Sequence, residues 1–242
     1  MKIRSLFLVL IVLASALTAF GQDVSILPRR IIYKRTKPLS EDKAKIIIDY
    51  PRVKAASPRV SRRIEHAISF AEVFNLSLRR EMSGEQWLES AGFFVNYNKN
   101  DILSITLSMN GTGQFYSTME RSVVVDLNTG KQATAGSVFD NLDGVRDLVY
   151  KKQQAEIEQA MIDIPKIEGY SDFDSGRWFG DSNITLLNLQ EFSVSEEGVT
   201  FKYDYGFPRI MKDIQPEGNF LITWRELKPY IRRGGLLGKF VC

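Results

Sequence analysis

Asp172, Asp174 and Asp181 fall in one irregular stretch of this 242-residue chain, with Glu168 just before them and Glu191 just after. Paired carboxylates can cleave a glycosidic bond, and several together can hold Ca²⁺. The spacing does not follow an EF-hand loop, so the sharper chemical reading is a carbohydrate hydrolase using Asp172 and Asp174 as its pair. Other chemistries lack their residues. The single histidine, His66, lies on a helical pattern beside Arg62 and Arg63, with no sign of an activated base, and any Ser–His–Asp or Cys–His arrangement would have to use it. Zinc and iron sites draw on several His or Cys ligands, whereas the only cysteine is the terminal Cys242. No metal or other cofactor is therefore expected, and no internal disulfide. Gly111 and Gly113 are not followed by the Lys-Ser or Lys-Thr of a phosphate loop.

The same stretch, residues 162–185, also carries Tyr170, Phe173, Trp178 and Phe179. Long connections without periodicity tend to be functional or disordered, and aromatic residues are favoured anchors at interfaces. One reading makes Tyr170, Asp172, Phe173, Asp174, Trp178 and Phe179 a partner-binding loop, its carboxylates steering a basic protein. The other has the rings capping the core beneath a surface loop.

Export bears on every function class. Lys2 and Arg4 precede an apolar run from Leu6 to Ala19, with small residues at Ala19 and Gly21. This is the pattern of a secretory signal peptide over residues 1–21, with Gln22 as the expected mature start. The run is too short to span a bilayer, and no cysteine follows it to carry a lipid anchor. No stable membrane span is expected after cleavage. Charge is unevenly placed: residues 29–63 hold twelve Lys or Arg against Glu41, Asp42 and Asp49, while residues 64–242 are net acidic. Such a basic segment fits either an anionic partner or a solvated leader. Export and the absence of a recognisable motif argue against nucleic acid.

The elements that position these residues follow from pattern. Residues 22–43, polar and basic with Pro28 and Pro38, read as a linker or arm. Ile46, Ile47 and Ile48 form a short strand stopped by Pro51. A helix capped by Ser57, with Pro58 in its first turn, carries Val60, Ile64, Ala67, Ile68, Ala71, Phe74 and Leu78 at helical spacing up to Ser83. Strands are expected over 92–98, 102–109 and 115–127, joined by the Asn98–Asp101 and Asn110–Gly113 turns. A second long helix spans about 141–160. Strands over 186–194, 199–205 and 220–224 and a short helix to Ile231 follow, and the glycine-bearing tail 232–242 reads as mobile. Hairpins outnumber crossovers, which predicts an α+β fold: a mainly antiparallel sheet with two longer helices packed on it. The domain would run over 44–231, either whole or as halves 44–84 and 85–231.

Two segments carry a family resemblance. Residues 123–139, VVVDLNTGKQATAGSVF, pair a strand with an Asp-x-x-Thr-Gly-Lys turn and a following Phe. Residues 192–231 join a Phe, a Gly turn, a Tyr-rich strand and a closing Leu-Lys-Pro-Tyr helix. Together they resemble the extracytoplasmic domain of RsiV-like anti-sigma factors and the N-terminal region of PdaC-like peptidoglycan deacetylases. The family's Gly-Gly-Ala-His segment is replaced here by Asn110–Gln114, without histidine, and no sigma-binding segment precedes a transmembrane helix. The resemblance implies a secreted or periplasmic binding or sensing module of the cell envelope. Its partner would be a basic, lysozyme-like protein or a wall glycan. A hydrolase using the Asp pair is the alternative.

Overall fold

The computed structural model describes residues 24–241, so the leader, Gln22 and Cys242 lie outside the described residues. The fold is α+β. A six-stranded sheet takes its strands in chain order: β1 (Ser25–Lys34), β2 (Lys45–Lys54), β3 (Leu88–Lys99), β4 (Ile102–Thr112), β5 (Tyr116–Asp126) and β6 (Lys131–Gln132). Every pairing is antiparallel except β2–β3, which meet in parallel only at Ile47/Ser90 and Ile48/Ala91. The chain between those two strands forms α1 (Pro58–Ala67), α2 (Phe70–Phe74) and α3 (Leu78–Ser83). After β6 come α4 (Ala135–Val138), the 22-residue α5 (Leu142–Asp163) and α6 (Ser175–Phe179). A second antiparallel sheet, β7 (Phe192–Val194), β8 (Gly198–Lys202) and β9 (Asn219–Thr223), leads into α7 (Trp224–Leu227).

The alternation in β4 shows how the layers form. Leu103, Ile105, Leu107 and Met109 are buried with Ile64 and Ile68 of the α1 region, while Ile102 joins Val145, Phe192 and Phe201 on the opposite face. Successive side chains of a strand point to opposite faces, so one strand serves two cores. Ser104, also on that second face, is fully buried and accepts from the Val194 amide at 2.9 Å, tying the two sheets together.

Four expectations are corrected. The supposed basic arm is a strand: β1 pairs with β2 along all ten residues, and Arg30 grips Asp49 through two bonds of 2.9 and 2.8 Å. Pro51 does not end β2, because it faces Pro28 across the pair. Two residues without N–H groups can oppose each other only where the ladder makes no bond. The long first helix is three short ones. Ser69 caps α2, Asn75 ends it in the left-handed region (φ 54°), and Ser77 caps α3. Local capping by serine competes with helix continuation, although the apolar residues keep their inward face. The tail is also packed: Leu237 is fully buried, and Phe240 stacks on Trp224 at 3.9 Å with planes 4° apart.

Beneath α3, the buried Lys43 ammonium donates to Glu89 Oε1 at 2.7 Å and also to the Trp87 carbonyl. The bond from Lys43 holds the Glu89 carboxyl below its ordinary pKa, against the opposing pull of partial burial. A carboxylate whose folded-state pKa is depressed stabilises the fold at neutral pH. That contribution is lost as pH falls from about 4.3 through the folded value. Acid titration of unfolding should therefore show a shallower loss below about pH 4.3 in Glu89→Gln than in the parent. An unchanged acid limb would count against this.

Candidate functional site

The residues that drew attention in the sequence are brought together, but mostly against one another. Phe179 is 7% exposed and lies 5.9 Å from Phe173, 5.5 Å from Tyr205 and 5.4 Å from Phe207, measured between ring centres. Trp178 is half-buried against Phe207 at 5.3 Å, with the Arg177 guanidinium over its ring. Tyr170 is also half-buried, and its hydroxyl donates to the Ile210 carbonyl at 3.3 Å. Asp174 caps α6, its Oδ1 accepting from the Arg177 amide at 3.1 Å, as the residue before a helix commonly does. Asp172 and Asp181 are exposed, and no hydrogen bond or ion pair joins Asp172 to Asp174. Glu156 of α5 seals this aromatic lobe: it accepts from the Tyr205 hydroxyl at 2.7 Å and from the Gly218 amide at 3.2 Å. The lobe is a small core with exposed carboxylates at its rim.

A more open feature lies beside β5. β6 pairs with β5 only at Val125 and Asp126, which leaves the earlier part of β5 as a free edge. The Ser122 amide on that edge donates to Glu191 Oε1 at 3.0 Å, so the outward backbone groups of Ser122, Glu120 and Thr118 share one direction. Facing them are Lys202, Tyr203 and the 3-10 turn Arg209–Ile214. Between lies a trough of about 1070 Å³, continued past Thr118 and Lys212 by a second depression of about 630 Å³. Phe115 and Tyr116 stand at that end, 58% and 54% exposed, with the Arg209 guanidinium 4.9 Å from the Phe115 ring centre. Gly111 lets the strand pass there, since a Cβ would sit 2.1 Å from the Trp87 carbonyl oxygen.

Three cations of the trough are each matched to a carboxylate, whereas Glu217 on its wall and Arg209 at the Phe115 end form no ion pair among the described residues. Arg121 pairs with Glu191 (3.3 Å), Lys202 with Glu120 (2.9 Å) and Lys212 with Asp204 (2.9 Å). Burial pushes the Asp204 carboxyl up, but Lys212, the Gly206 amide and Gln215 outweigh it and hold the group below its ordinary value. A general acid for glycoside cleavage needs a displacement in the other direction. Of these residues the sequence singled out only Glu191, as a neighbour of the Asp172–Asp181 carboxylates. The partners of each pair are 8 to 82 residues apart, and an edge strand exposed on both faces carries no alternation.

The resemblance motifs prove to be architectural. Asp126 holds its own turn by accepting from the Asn128 amide and the Thr129 hydroxyl, both at 2.9 Å. Phe139 and Leu227 are core residues, and Tyr230 lies on α5 where Gly144 leaves room for it. No family model matches the sequence, and no curated protein matches it. Two solved structures are similar in fold. A DUF3298-family member from Bacteroides fragilis has a TM-score of 0.54 at 14% identity, covering 91% of this chain and 98% of its own. A DUF3298-family protein from Pseudomonas aeruginosa has a TM-score of 0.58 at 13% identity, covering 88% and 95%. Neither name designates an enzyme. At such identities the likeness is one of architecture: the chain has a fold similar to that of DUF3298 proteins, a domain family of unknown function.

Proposed function

We propose that the protein is a secreted or periplasmic, non-catalytic module that binds a neutral glycan strand of the cell envelope in the trough beside β5. The observation that carries this reading is the pairing of Arg121, Lys202 and Lys212, each with its own carboxylate, beside two exposed rings. Matched ion pairs offer donors and acceptors to hydroxyl groups while neutralising most of the charge along β5. Exposed rings offer flat apolar faces to the C–H side of a sugar. The free edge of β5 adds backbone N–H and C=O groups along the same line. The resemblance to wall-directed domains in residues 123–139 and 192–231 agrees with an envelope ligand, and the pairing of Arg121, Lys202 and Lys212 with carboxylates favours glycan over a basic protein. The apolar leader supports export.

The test uses soluble peptidoglycan fragments as the probe and the protein without residues 1–21. Binding should weaken about tenfold or more in Phe115→Ala/Tyr116→Ala, an exposed pair whose loss leaves the melting temperature nearly unchanged. The fragments should remain uncleaved, and Asp172→Asn should bind as the parent does. Fragments that fail to bind, or that bind the double variant equally well, sink the reading. Cleavage abolished by Asp172→Asn would establish the hydrolase instead.

A further inference from the structure

Beyond the trough, the outer side of α1 has a feature that the glycan reading does not use. Arg59, Arg62, Arg63 and Lys131 surround one open depression of about 1120 Å³, with His66 and a single carboxylate, Glu72, 4.0 Å apart on its wall. Among the described residues none of those four cations forms an ion pair. That sets them apart from Arg30, Arg52 and Lys43 in the same basic segment, which are matched to Asp49, Glu65 and Glu89. The cluster is built from two distant pieces of chain. Gly130, at φ 70°, lets the β5–β6 turn press onto α1, where a Cβ would come 2.7 Å from Arg63 Cβ. The Gln132 side-chain amide fastens the turn by donating to the Ala67 carbonyl at 2.6 Å. Lys131 is thereby held beside the arginines of α1, against the mutual repulsion of like charges.

The geometry points to a docking surface for a phosphate-bearing polymer chain. Three guanidinium forks and an ammonium around a hollow match tetrahedral, multiply charged oxyanions, which arginine binds through paired N–H donors. A lipid bilayer is the poorer occupant: the surface is concave, and it presents no exposed large apolar side chain to insert. No Phe, Tyr or Trp lines it to stack a base, so the phosphates themselves are what is recognised. This surface does not depend on the trough binding anything.

The test measures binding of long-chain inorganic polyphosphate to the protein without residues 1–21. With four contacts, affinity should fall about 50-fold between about 50 and 200 mM salt. Arg59→Gln/Arg62→Gln/Lys131→Gln should lose at least about tenfold at low salt, whereas the control Lys34→Gln/Lys45→Gln/Lys54→Gln, of equal charge, should bind like the parent. All six positions are exposed, and unchanged melting temperatures would show that folding is intact. The inference is overturned if both triple variants lose affinity equally, if neither loses any, or if polyglutamate binds as well as polyphosphate. It is also overturned if vesicles containing phosphatidylglycerol bind the parent while polyphosphate does not.

Discussion

Replacing Arg35 with leucine should destabilise the protein by about 3–5 kcal/mol, the range found when one member of a buried charged pair is removed. Its side chain is wholly buried and donates to three carbonyls: Glu81 at 3.0 Å, Lys43 at 2.6 Å and Leu88 at 2.7 Å. The Glu81 carboxylate lies 3.9 Å away and accepts from the Leu88 amide. Burial holds the guanidinium below its ordinary pKa, with Glu81 and Glu89 pulling the other way. Leucine would leave those carbonyls without a donor and Glu81 without its neighbouring charge. It would also unclasp the segment after β1 from the end of α3 and the start of β3. Arg35→Lys keeps the charge, but a single ammonium cannot span all three carbonyls, so it should recover only part of the loss. Equilibrium urea unfolding of both variants checks this. A loss below about 1 kcal/mol in Arg35→Leu, the worth of an ordinary hydrogen bond, would show that the cluster is not holding the strand.

Phe179→Ala should lose about 3–4 kcal/mol, as large-to-small changes at buried aromatic positions do. The ring fills the centre of the lobe, in contact with Phe173, Tyr205 and Phe207. The same variant separates packing from contact. Under conditions where it is still folded, it should bind peptidoglycan fragments as tightly as the parent, because no residue of 162–185 lines the trough. A stable variant with impaired binding would return the 162–185 segment to the interface.

The Asn98–Asp101 turn is visible in advance because Asn and Asp tolerate the left-handed region, and Asn100 and Asp101 do adopt φ values of 53° and 59°. The second long helix is visible because Asn141 caps it and Val145, Val149 and Ile157 recur on one face. The first helix is legible in its apolar face but not in its breaks, since Ser69 and Ser77 are ambiguous between helix interior and cap until the chain must turn. β1 is hidden by its composition. Its arginines suggest solvent, and only Asp49, waiting on β2, makes Arg30 a strand residue. The aromatic run near Trp178 is conspicuous, yet its aromatic partners Tyr205 and Phe207 lie 26 residues or more further along.

Turns, caps and periodicity are properties of neighbouring residues, and they suffice for the α+β class, the hairpins and the long helix. Which charges are spent and which stay bare is a property of contacts across the chain. Arg121, Lys202 and Lys212 look no different in sequence from Arg59, Arg62 and Lys131. Folding gives the first three a carboxylate each and leaves the others without one, because electrostatic pairing acts over a few ångströms of space whatever the distance along the backbone.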